Sequence, residues 1–162
     1  MNRVAFRILV GCLLPLTATG APWSFDAALA VTTPPAQAPV FHHLDSSGRR
    51  NIAAAGGAVA VAWEDDRDGT PRIYLAHRNY EDSRFTPALQ VSGAKEAFEP
   101  SILALGGKRF AIAWEEDEQV WLRLVQVGDK PVPGPMQEIS PGNGAQASLV
   151  GDGDQILVLW SE

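Results

Sequence analysis

The sequence predicts an all-β fold of β-propeller-type blades, each a sheet of four antiparallel strands, and three observations carry that reading. First, three apolar runs end in tryptophan: 58–63 (AVAVAW), 109–114 (RFAIAW) and 155–160 (QILVLW). Second, each run follows a short apolar strand and a glycine-containing turn: Gly56-Gly57, Gly106-Gly107, and Gly151 with Gly153. Third, the tryptophans Trp63, Trp114 and Trp160 lie about 51 and 46 residues apart, a period typical of propeller blades.

The elements follow in order. The first copy predicts strands at 51–55, 58–63, 72–78 and 89–92, and the second at 101–105, 109–115, 119–127 and 136–139. The third copy predicts 146–150 and 155–160. A lone strand at 40–44 stands where the last strand of an earlier blade would fall. Ile73-Tyr74-Leu75 matches Val120-Trp121-Leu122, and Val91-Ser92 matches Ile139-Ser140. Within the second strand of the first two copies, bulky and small residues alternate. Val59, Val61 and Trp63 share one face, and Ala58, Ala60 and Ala62 the other. Phe110, Ile112 and Trp114 oppose Ala111 and Ala113 in the same way. Such a sheet suits stacking on a similar neighbour, bulky side into small side. Trp63, Trp114, Trp160, Tyr74 and Trp121 are therefore expected in the core. Short strands rich in β-branched residues, punctuated by Gly and Pro, argue against amphipathic helices.

The repeats span about 50–92, 100–140 and 145–162, within a partial propeller over 40–162. That is about two and a half blades, an incomplete ring, whereas propellers close with roughly four to eight. Completion is expected by self-association, by a second chain that supplies the missing blades, or because the chain is a fragment of a longer propeller.

Composition narrows the function class. The 162 residues include 15 Gly and 12 Pro, with 46% hydrophobic and 20% charged residues, the balance of a folding chain rich in turns. A net charge of −6 leaves no basic stripe to neutralise phosphates, which argues against nucleic-acid binding. Residues 1–30 read as a signal peptide. Arg3 and Arg7 give a positive start, 8–16 is apolar, and Ala28-Leu29-Ala30 offers the small residues that a signal peptidase reads. Cleavage after Ala30 is preferred, with a site near Gly20 as the alternative. The apolar run is shorter than the about 20 residues a transmembrane helix needs. The single cysteine, Cys12, lies in this segment. It reads either as an ordinary signal-peptide residue or, after Leu9-Val10-Gly11, as a lipobox cysteine. Residues 31–39 (VTTPPAQAP) read as a linker. A periplasmic or secreted location follows.

One string in the first copy resembles the repeat of bacterial sialidase-like (BNR-type) β-propeller proteins. It runs through Trp63, Asp65, Arg67 and Gly69, then 73–76 (IYLA), Phe85 and Val91-Ser92. Pro100-Ser101-Ile102 is similar to that family's start of the next blade. The resemblance covers about 40–162 and implies fold more than activity. The second copy keeps Trp114 and Glu116 without the Arg and Gly, and its loop is shorter. The family's Asp-box turn survives at best over 79–85, without its glycine. The arginine cluster, Tyr/Glu pair and Asp acid of true sialidases do not map onto this chain. The implied function is a non-catalytic interaction module for a protein or glycan partner, with a remnant of a sialidase-like glycoside hydrolase as the alternative.

The most charged loop, with Asp65, Asp66, Arg67 and Asp68, is the candidate ligand or ion loop. Carboxylates at Glu64, Asp66 and Asp68 before Gly69 resemble the start of a calcium loop, but Leu75 stands where a closing glutamate would fall. A solvated hairpin tip, with Arg67 paired to Asp65 or Asp66, is the simpler reading. Glu115, Glu116 and Glu118 likewise read as a solvated acidic turn. His42 and His43 point to opposite sides of a strand and His77 is remote, so no metal site and no cofactor are expected.

Overall fold

A computed structural model describes residues 27–31, 50–152 and 155–162. Most of the predicted export segment and linker, with Cys12, the strand at 40–44 and His42-His43, lies outside the described residues. Ten strands form three antiparallel sheets, and no helix occurs among the described residues. The first sheet contains β1 (Ile52–Ala55), β2 (Ala58–Asp65), β3 (Arg72–Asn79) and β4 (Leu89–Gln90). The second contains β5 (Ala97–Leu105), β6 (Arg109–Glu116), β7 (Gln119–Gln126) and β8 (Val132–Glu138). The third is the hairpin β9 (Ala145–Asp152) and β10 (Gln155–Ser161). Strands follow one another in chain order and no sheet closes on itself.

The turns explain the strand ends. Gly56 and Gly57 both adopt positive φ, +58° and +80°, as the tight turn between β1 and β2 requires. The β6–β7 turn does the same without glycine, with Asp117 at +56° and Glu118 at +61°. That two-residue turn accounts for the shorter loop of the second copy. β4 stops at Gln90 rather than running on to residue 92, because a side chain takes over the ladder. Val91 N–H still donates to the Ile73 carbonyl at 2.7 Å, but the Ser92 hydroxyl accepts the Ile73 N–H at 3.0 Å. Ser140 repeats this on the Val120 N–H at 2.8 Å, which gives the recurring apolar-Ser pair a physical reason. β8 starts at Val132, earlier than the predicted 136. Its Pro133 and Pro135 are tolerated because β8 lies at the edge of the sheet.

The three sheets stack face to face with a fixed direction. Ala58, Ala60 and Ala62 of β2 pack with Ile102, Phe110, Ile112, Trp114 and Val125 of the second sheet. The small face of the first sheet thus receives the bulky face of the second. Ala111 and Ala113 of β6 in turn receive Ala147 and Leu149 of β9, with Ile156, Val158 and Trp160 of β10. Trp114 is fully buried between neighbours, whereas Trp63 stays 6% exposed beside Tyr74 on the outer face of the first sheet. Trp121 and Trp160 are half-buried at the margins of the two inter-sheet cores. Burying this apolar surface contributes roughly 25 cal/mol per Å².

Because Ala60 has no exposed surface and faces the second sheet, Ala60→Leu is expected to overpack the interface and cost about 1–3 kcal/mol. The check is urea denaturation. An unchanged midpoint would show that the alanine face does not set the spacing of the sheets.

Candidate functional site

The candidate loop grows from the end of β2. On a strand, residues two apart share a face, so the acid two positions beyond each tryptophan lies beside its indole. Trp63 Nε1 donates to Asp65 Oδ2 at 3.1 Å, Trp114 Nε1 to Glu116 Oε2 at 2.8 Å and Trp160 Nε1 to Glu162 Oε1 at 3.2 Å. This couple recurs in all three copies. Its spacing stands in the sequence as Trp63 with Asp65 and Trp114 with Glu116, but the sequence alone presents the acids as solvent-facing.

The structure corrects that expectation for two residues. Asp65 is only 1% exposed and Glu116 only 4%. Asp65 accepts from the Trp63 indole, from the Arg67 backbone N–H at 2.8 Å and from the Arg67 guanidinium, with which it forms an ion pair. Burial pushes the Asp65 carboxyl up. The hydrogen bonds from Arg67 and Trp63 outweigh it and hold the group below its ordinary value. Glu116 accepts from Trp114, from Gly93 N–H at 2.8 Å and from Lys95 N–H at 3.0 Å. It therefore ties the segment leaving the first sheet to the second. A methyl group built at Gly93 would collide with that carboxylate.

The remainder of the loop folds onto its own sheet. Arg67 lies over the Tyr74 ring, its Cζ 4.5 Å from the centroid, and Trp63 stacks on Tyr74 at 6.1 Å. Tyr74 donates its hydroxyl proton to Asp68 at 3.2 Å; burial first, then this bond, raises the phenol. Asp66 accepts the Gly69 N–H at its backbone carbonyl, 2.7 Å, closing the turn, with Gly69 at φ +79°. The four candidate residues are thus neighbours, but Asp65, Arg67 and Asp68 turn to Trp63 and Tyr74 while Asp66 closes the turn through its backbone. Among the described residues no three His, Cys, Asp or Glu groups gather to hold a metal.

The predicted Asp-box remnant is held by Asp82, which accepts from Asn79 N–H at 3.0 Å and its side-chain amide at 2.8 Å. It borders a cleft of about 520 Å³ lined by Arg67, Ser83, Arg84, Phe85, Thr86 and residues 28–31. This cleft is not legible in the sequence, because its walls are not adjacent in the chain. His77 is buried and structural, with Nε2 2.8 Å from the Gly128 carbonyl and Nδ1 3.3 Å from Thr86 Oγ1.

Two measurements follow. Glu116→Gln sets an amide against N–H donors and is expected to destabilise by about 1–3 kcal/mol, read from the urea midpoint; Gly93→Ala should lower the same midpoint. Asp65 is lowered in the folded state, so its stabilisation is present above its unfolded value of 3.8 and is lost as pH falls through the lower folded value. Asp65→Asn should lower thermal stability at neutral pH and flatten its decline on acidification, a difference that pH-dependent melting curves will register. Neither protein-family models, nor curated proteins, nor solved structures contain a match to this chain, so the site stands on its own geometry.

Proposed function

We propose that the chain is an exported, non-catalytic interaction module of the periplasm or the cell exterior, whose sheets are blades of a sialidase-like (BNR-type) β-propeller. The observation that carries this reading is the fate of the acidic groups. Asp65 and Glu116, the most charged positions of the repeats, are occupied by indole, guanidinium and backbone N–H groups. Asp65 closes its own loop and Glu116 ties the linking segment to the second sheet, so neither faces a reacting bond. The blade reading is supported by the single direction of stacking, small face to the next bulky face, at each of the two inter-sheet interfaces. The surface beside Arg67, Arg84 and Phe85, which cleavage after Ala30 would leave in place while removing the wall formed by 28–30, joins cationic groups to an aromatic ring, a combination suited to a protein or glycan partner. No described helix is long and apolar enough to cross a membrane.

A second reading, the remnant of a sialidase-like glycoside hydrolase, draws on the Arg67–Tyr74 contact. A fluorogenic sialoside assay on the purified chain separates the two. No turnover above buffer is expected, and turnover that disappears in Tyr74→Phe would establish the hydrolase reading instead. Binding to a glycan array, weakened by Arg84→Ala, is the expected positive result if the cleft is the recognition surface.

A further inference from the structure

The bulky face of the second sheet, Phe110, Ile112 and Trp114, has no exposed surface and packs with Ala58, Ala60 and Ala62 of the first. The matching face of the first sheet carries Val59, Val61 and Trp63, and a different element lies on it. Val31 packs against the cluster of Trp63, Tyr74 and Ala76, beside Val61 and Phe85. In that cluster Ala76 is fully covered, and Trp63 and Tyr74 are each only 6% exposed. Ala27 and Leu29 border a cleft of about 690 Å³ whose lining includes Val59, Val61 and Tyr80. The 520 Å³ cleft beside Arg84 shares Leu29 and Val31, so this short segment walls both.

Its composition suits that place. Residues 27–31 (AALAV) are small and uncharged, as are residues 58–62 (AVAVA), the run that meets the second sheet. A bulky pleated face accepts either, because small side chains fill the gaps between large ones without displacing them.

We infer that the exported chain keeps residues 27–31 as the cover of the first sheet, and that its leader is cut ahead of them, after Ala18-Thr19-Gly20. The inference rests on the export reading above and goes beyond it by assigning the processing site. Two further arguments favour the upstream cut. The first is electrostatic. A cut after Ala30 would turn the Val31 amide nitrogen into an ammonium on a half-buried residue, packed against aromatic rings. The cleft at its side is lined by Arg67 and Arg84 and by no carboxylate among the described residues, so a positive charge drawn from water there gains no partner. The second is spacing. The apolar run 8–16 ends two residues before Ala18 but twelve before Ala28, and a small-residue site directly after the apolar core is the pattern that signal peptidase reads. The surface beside Arg84 and Phe85 remains under either cut, so the interaction-module reading does not depend on the choice.

The test is the N-terminal sequence and intact mass of the full chain, expressed with its own leader in a Gram-negative host and purified from the periplasm. The first residue is expected to be Ala21. Ala18→Arg should block processing, because it sets a large charged side chain three positions before the cut, whereas Ala28→Arg should leave the start unchanged. On the exported chain, Val31→Asp is expected to lower the urea midpoint, since it sets a carboxylate against Trp63 and Tyr74. A chain that begins at Val31, or processing that Ala28→Arg blocks, would overturn the inference and leave export standing. So would a lipid-modified start at Cys12, or a midpoint that Val31→Asp does not move. A precursor that keeps Met1 and stays in the cytoplasm would sink the export reading, and this inference with it.

Discussion

Every contact that builds this protein depends on the two-residue period of a pleated strand. Because positions i and i+2 share a face, Trp63 and Asp65 lie on one side of β2 while Ala62 and Glu64 lie on the other. The first side forms the indole–carboxylate couple. The second presents small side chains to the next sheet, with a glutamate that reaches its backbone. A slip of one residue in register would exchange the two sides, turning tryptophan into the interface and the acid away from its donors. The alternation therefore fixes register within each sheet and the direction in which sheets add.

The buried carboxylates show how such a stack tolerates charge. Removing an acid from water costs several kcal/mol unless its oxygens are satisfied. Asp65 meets that demand within its own loop, with Trp63 and Arg67. Glu116 meets it with N–H groups of the segment that links the first two sheets. The same repeat position thus closes a loop in one copy and joins two sheets in the next. The lack of a side chain at Gly93 belongs to the second arrangement, since the carboxylate occupies the space a Cβ would need.

Much of the architecture is legible in the sequence because it is periodic. Trp63, Trp114 and Trp160, the alanine runs and the Val91-Ser92 and Ile139-Ser140 pairs announce themselves by recurrence, and the four-stranded antiparallel sheets follow from them. The acids mislead for a different reason. Composition marks Asp65 and Glu116 as solvent-seeking; the Arg67 partner of Asp65 is legible two residues away, but Gly93 and Lys95 become neighbours of Glu116 only once the chain folds. The cleft beside Arg84 is hidden on the same grounds, since Arg67 and Phe85 are brought together by strand pairing. The extension of β8 back to Val132 is masked because its prolines read as breakers, whereas an outer strand keeps one side free of the ladder.

A linear stack also distributes its resistance to opening unevenly. The second sheet is gripped on both faces, whereas among the described residues the β9–β10 hairpin is gripped on one. In nearest-neighbour terms the hairpin has a single coupling energy to lose, and it can detach while the inner sheets keep their packing. Amide protons of β9 and β10 would then exchange through a shallow, local excursion, and those of β6 only through global unfolding. The apolar strand most exposed by that excursion is β10 itself, with Leu157 and Leu159 on its open face.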